Sequence, residues 1–162
     1  QSTGPEIWEQ TAGRLDAFVA ASGTGGTVAG VCEYLKSRRA SVRTVLADPP
    51  GSALYEYVRN GVVKVTGSGS ITEGIGIGRV TANMQGAPID DAVHIGDQES
   101  VSWVYRLLRE EGLFLSSTSG VNVAAAVHVD EQPVAVLGRK ILGRQHGGVH
   151  AVDEGRLGRE AE

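Results

Sequence analysis

The sequence predicts an α/β fold, part of a mostly parallel, twisted sheet with flanking helices. Three observations carry this expectation. Compact apolar runs alternate with amphipathic ones along most of the chain. Glycine, 23 of 162 residues, gathers where one run gives way to the next, as close-packed α/β turns require. Residues 16–47 read as a full strand–loop–helix–strand unit, which implies parallel strands joined by a covering helix.

The elements follow in order. Residues 5–13 (PEIWEQTAG) form a short helix, with Pro5 in the first turn, Glu6 at the positive end of the dipole and Gly13 as the stop. Asp16 to Ala21 (DAFVAA) is a buried strand. After SGTGGT a helix runs from about Val28 to Arg38, with Val28, Val31, Cys32 and Leu35 at helical spacing. Val42 to Ala47 is the next strand, closed by Asp48-Pro49-Pro50-Gly51. Ala53 to Val58 is a helical turn, Gly61 to Val65 a short strand, and residues 68–78 (SGSITEGIGIG) a glycine-rich loop. Ile89 to Ile95 is another strand. Asp97 reads as the N-cap of a helix that runs to about Glu111, with Val101, Val104, Tyr105 and Leu108 on one face and Gly112 as the stop. Leu113 to Leu115 is a short strand, and SSTSG (116–120) opens a last helix through Val127. Residues 129–162 hold six Gly, four Arg and two His without sustained periodicity; Val134 to Leu137 is a strand candidate and the rest a poorly ordered polar tail. The expected division is therefore 1–128 and 129–162.

The composition is globular, with 41% hydrophobic and 21% charged residues. A formal charge of −4 gives no reason to expect nucleic-acid binding. No apolar run approaches the ~20 residues of a membrane span, and no signal peptide is visible. The single cysteine, Cys32, excludes an internal disulfide framework and fits a reducing, cytoplasmic compartment. It falls on an apolar helix face and reads as core, as do Trp8 and Trp103. His146 and His150 have metal-ligand spacing, but Gly147 and Gly148 between them weaken any helix, so no metal site is expected. The chain begins without methionine, in what reads as a loop, so a start inside a larger protein is plausible.

SGTGGT at 22–27 lies between a strand and a helix. The helix start offers unpaired N–H groups and the positive dipole end, glycine lets a phosphate approach the backbone, and the Thr hydroxyls add donors. Taken alone, the loop fits a phosphate site and a tight turn that binds nothing equally well. No Lys follows the glycines, so it is not a P-loop. Val28 stands where the dinucleotide fingerprint needs its third glycine, although Asp48, 23 residues after Gly25, occupies the place of a ribose-binding acid. A dinucleotide domain remains an alternative.

Five ordered segments narrow the choice: TGPEIWEQT, DAFVAASGTGGT, ADPPGS, EGIGIG and EEGLFLSSTSGVNVAAA. Together they resemble the cysteine synthase family of pyridoxal-phosphate enzymes, which includes cystathionine β-synthases. The likeness runs from about Thr3 to Val127, roughly three quarters of the chain. It implies the family's fold-type II architecture, here incomplete, with pyridoxal phosphate as cofactor, an amino-acid substrate and a homodimeric intact enzyme. It also implies roles for particular residues. Gly23, Thr24, Gly25, Gly26 and Thr27 match the phosphate-binding loop. Gly74-Ile75-Gly76 matches the segment lining the cofactor and substrate pocket. Thr118 matches the hydroxyl residue that meets the pyridine nitrogen, a neutral contact suited to β-elimination and β-replacement; helix capping is the other reading for it and for Ser119.

The family's Schiff-base lysine stands in a Ser-x-Lys motif near the amino terminus. Lys36, Lys64 and Lys140 are in no such motif, so the matching segment would lie upstream of Gln1, with the family's Asn-Thr-Gly and substrate-carboxylate loops. The carboxyl-terminal stretch also departs from the family's final strand. The expected function is cysteine synthase chemistry, O-acetylserine and sulfide to cysteine, in a chain that alone is inactive. The alternatives are a cystathionine β-synthase-like fragment and a non-catalytic remnant.

Overall fold

A computed structural model describes residues 2–131 and, separately, the backbone of two short strands at 135–136 and 139–140. The fold is α/β. Helix α1 spans Thr3–Gln10, strand β1 Ala17–Ala21, α2 Gly26–Arg38, β2 Arg43–Asp48 and α3 Leu54–Asn60. Strand β3 spans Asp91–His94, α4 Asp97–Glu111 and α5 Ser117–Glu131. A single 3₁₀ turn, Ala82–Met84, breaks the long connection between α3 and β3.

The three strands lie side by side in chain order and run parallel. Val19 stands beside Val45, and Ala47 beside Val93. Alternation along the strands sends side chains to both faces. Phe18, Ala20, Leu46 and Ala92 pack with Val28 and Cys32 of α2, Leu54 of α3 and Met84. Val19, Ala21, Ala47 and Val93 pack with Val121, Ala124 and Ala125 of α5. A third cluster, Val31, Leu35 and Val42 with Ile7 and Trp8, docks α1 on α2. Helices therefore cover both faces, as parallel strands need. Charged groups close the amino edge. Lys36 pairs with Asp90 at 2.6 Å, and Arg43 and Arg59 both reach Asp91. Burial would raise both carboxyls, but these cations and the Thr44 and Ala92 N–H groups hold them below the usual range.

Several expectations shift. Gly61–Val65 forms no strand: Val62, Val63 and Val65 are exposed, and the chain pairs only at the bridge between Ser52 and Thr66. Leu113–Leu115 is also not a strand; Phe114 is 84% exposed, and no neighbouring strand among the described residues reaches it. Gly96, not Asp97, caps α4, because the Asp97 carboxylate turns outward to another loop. Helix α5 continues past Val127 to Glu131 and buries Val129. The carboxyl-terminal unit contains the antiparallel pair β4 (Ala135–Val136) and β5 (Arg139–Lys140), with β4 inside the expected 134–137. His146, His150 and the rest of the expected tail lie outside the described residues. No helix among the described residues is long and apolar enough to cross a membrane.

Candidate active site at the carboxyl edge of the sheet

Strand β1 ends at Ala21, and the chain turns through Ser22–Gly25 into α2. Gly25 is the cap of α2, in the left-handed region at φ 86°, and contributes no side-chain acceptor. The first N–H groups of α2 are therefore left without intrahelical partners. A Cβ on Gly25 would stand 2.6 Å from Met84 Cγ, whereas one on Gly26 would meet only the Asn83 amide, at 3.6 Å. The loop is thus packed tightly beneath and open above. Thr24, Gly26 and Thr27 are exposed, and Gly25 is buried. The 3₁₀ turn buttresses the loop from the side: Thr81 and Asn83 both donate to the Thr24 carbonyl, at 2.8 and 3.1 Å.

The second predicted segment meets the first. The Gly76 N–H donates to the Ser22 carbonyl at 3.1 Å. A Cβ on Gly23 would run into the Gly74 carbonyl oxygen. Gly74 and Gly76 sit at φ 79° and 70°, so this strap bends where other residues would be strained. Ile75 packs with the α5-side cluster and Ile77 with the α2-side cluster, which lays the strap across the top of the sheet.

The third segment adjoins β1. The Ala21 N–H donates to Asn122 Oδ1 at 2.7 Å, and the Asn122 amide donates to the Thr118 carbonyl at 2.8 Å. The Thr118 hydroxyl pairs with the Ser116 hydroxyl at 2.7 Å and does not cap its own helix. The N–H groups of Ser119 and Gly120 go instead to the Ser116 carbonyl. The three segments thus converge at the carboxyl ends of the strands, where open α/β sheets place ligands. Two surface depressions of about 600 and 240 Å³ are lined by other residues, the second by Val101, Val104, Tyr105, Leu108, Phe114 and Ser117.

Asp48 does not present a ribose-binding acid. It is fully buried, and one oxygen accepts the Tyr55 N–H at 2.8 Å to hold the start of α3. The other oxygen is buried without a partner. Burial pushes this carboxyl up, against the lowering effects of Ser52, the Tyr55 N–H and His94. Burial likewise pushes the Cys32 thiol up to about 11, so it is a packing residue and no nucleophile. Lys36 is engaged by Asp90 at the amino edge, and Lys64 is exposed in the α3–β3 connection.

The family profile described as "Pyridoxal-phosphate dependent enzyme" matches residues 1–137. The chain belongs to this family. Among its relatives, Cysteine synthase 1 of Emericella nidulans is 49% identical over 136 residues, covering 82% of this chain and 37% of that protein. Cysteine synthase A of Escherichia coli is 37% identical, over 81% of this chain and 41% of that protein. Among solved structures, the O-acetylserine dependent cystathionine beta-synthase from Helicobacter pylori superposes with a TM-score of 0.68 at 32% identity, covering 78% of this chain and 39% of that one. This pyridoxal-phosphate family member thus spans well under half the length of these relatives. The pyridoxal-phosphate reading of the five segments agrees with this, and the dinucleotide alternative falls with Asp48. Thr81, Asn83, Met84 and Asn122, which support the site, were not singled out from sequence. No local motif marks them, because each acts across at least 57 residues of chain, Met84 by packing against Gly25.

Proposed function

We propose that this chain supplies the phosphate- and ring-binding part of a pyridoxal-phosphate-dependent cysteine synthase. The observation that carries the reading is the meeting of the 22–27 loop, the 74–76 strap and the 116–120 turn at one sheet edge. The residue types fit the cofactor's chemistry. The uncapped start of α2, with Gly23, Thr24, Gly25, Gly26 and Thr27, offers amides and hydroxyls to the phosphate in open space. Gly74 would line the cofactor's flank with bare backbone, and the Thr118 hydroxyl is the group that the family resemblance assigns to the pyridine nitrogen. When bound, the cofactor supplies an electron-withdrawing ring for exchange at the substrate's β-carbon. The Thr118 hydroxyl would meet the ring nitrogen by a neutral hydrogen bond, and the Ser116 hydroxyl pairs with it. The strap and the loop would hold the ring's orientation. The net reaction is O-acetylserine plus sulfide to cysteine plus acetate, a transferase step in a reducing cytoplasm by an enzyme that is homodimeric when intact.

None of Lys36, Lys64 and Lys140 suits the covalent lysine, so a polypeptide carrying the Ser-x-Lys segment must complete the site. The 162 residues alone, given pyridoxal phosphate, O-acetylserine and sulfide, are expected to form no cysteine above the protein-free rate. A chimaera joined in frame to the amino-terminal part of the Emericella nidulans relative is expected to form it. The name of the Helicobacter pylori neighbour favours one further comparison, in which homocysteine replaces sulfide. Preferential use of homocysteine would move the assignment to a cystathionine β-synthase. A folded chimaera that binds no cofactor would leave a non-catalytic remnant.

A further inference from the structure

The first turn of α4 touches two walls of the candidate site. Asp97 and Ser100 are three residues apart and so share a helix face. One Asp97 oxygen accepts the Ser70 hydroxyl, and the other accepts the Ile71 N–H at 3.0 Å. Ser70 in turn accepts the Thr72 N–H at 3.0 Å and pairs with the Thr72 hydroxyl at 2.8 Å. Since Ser70 gives its only proton to Asp97, the Thr72 hydroxyl must donate to Ser70. The result is a one-way chain of donors ending on the carboxylate, and Thr72 within it is buried. Four residues further on, Gly76 reaches the phosphate-loop segment at Ser22. Ser100, also buried, donates to the Ser117 carbonyl at 2.6 Å, and Gly120 backs against the Ser100 carbonyl with no room for a Cβ.

We propose that Asp97 is a positioning residue: with Ser100 it makes the first turn of α4 a bracket that sets the separation between the 70–76 strap and the Thr118 turn, and hence the slot for the cofactor ring. This rests on the pyridoxal-phosphate reading of the sheet edge. The strap needs such an anchor because Gly69, Gly74 and Gly76 all hold positive φ and leave its backbone free to rearrange. Asp97 touches neither ring nor phosphate; it acts through Ser70 and Ile71.

The test uses the full chain, its Asp97→Ala and Asp97→Asn variants, and 4′-deoxypyridoxine 5′-phosphate, which has the cofactor's ring and phosphate but no aldehyde and so needs no lysine. Two readouts are taken: amide exchange residue by residue, and affinity for the analogue. In Asp97→Ala, Ile71 and Thr72 are expected to exchange at least about tenfold faster, the size of one lost hydrogen bond to a charge, while β1 and β2 amides are unchanged. Analogue binding should weaken by about tenfold as well. Asp97→Asn keeps an acceptor and should recover a large part of both. Unchanged exchange at 71–72, equal acceleration in β1, or unchanged affinity despite a loosened strap would overturn the proposal. Failure of the chimaera with the Emericella nidulans amino-terminal part to bind the analogue would overturn the cofactor reading itself. A chain that binds it equally well with and without Asp97 would overturn only the bracket.

Discussion

Gly25 combines two demands at one position: a left-handed backbone and the absence of any atom where Met84 lies. An alanine there would meet both a conformational penalty of about 1–2 kcal/mol and the Met84 contact. Gly25→Ala is expected to lower the urea midpoint accordingly and to abolish binding of the phosphate-bearing analogue; full affinity would remove the loop from the site. That glycine was legible because SGTGGT announces itself between strand and helix. Asp48 was legible only as an acid at a strand end, because nothing local says whether a carboxylate points out to a ligand or in to a helix. Its buried orientation has a consequence for pH. A raised pKa means that the native state keeps the Asp48 proton where the unfolded chain has lost it. Its stabilising contribution is therefore complete below the unfolded value of about 3.9 and is lost as pH rises through the higher native pKa. Asn at this position keeps an acceptor for the Tyr55 N–H and never ionises. The stability of Asp48→Asn relative to the parent chain should thus grow as pH climbs from about 4 and then level off. Urea titrations across the pH range decide it; a constant difference would contradict the buried-acid account.

At the scale of elements, two helical glycines with opposite surroundings make a paired test. Gly120, near the start of α5, leaves no space for a Cβ beside the Ser100 carbonyl, whereas Gly30, within α2, has nothing near it. Gly120→Ala should force α4 from α5 and cost about 1–3 kcal/mol. Gly30→Ala should stabilise by about 0.5–1 kcal/mol, since alanine suits a helix interior better. Denaturant unfolding of both reads the contrast, and equal effects would refute the described packing of α4 on α5. Sequence periodicity found the helices and the three strands to within a few residues, because each pattern is local. It over-read Gly61–Val65 and Leu113–Leu115, since an apolar β-rich run becomes a strand only beside another strand. The grouping of Val101, Val104, Tyr105 and Leu108 on one face of α4 does not mark its core side: Tyr105 and Leu108 are exposed, while Ser100 is buried and Trp103 packs with the α5-side cluster. The 3₁₀ turn was missed because three residues carry no period.

At the scale of the molecule, the convergence of the loop, the strap and the turn was legible through the order of the segments. The ties that hold them together, Asn122 to Ala21 and Asp97 to Ser70, were not, for they link residues 101 and 27 apart. The connection from Gly61 to Thr81 contains no helix or strand, and Lys64 and Arg79 are exposed within it. Such a stretch invites proteolytic nicking. Within residues 2–131, brief trypsin treatment should cut there first, leaving two large pieces that separate under denaturing conditions but stay together in size exclusion, because β3 still pairs with β2 and α5 still packs on β1. Prompt separation of the pieces would argue against that interlocking. After a cut at Lys64, the phosphate loop belongs to one piece and the strap with Thr118 to the other. A ligand that grips both would then act as a molecular glue, drawing two separate polypeptides together, and its affinity could be read from how dilute the nicked protein must be before it falls apart.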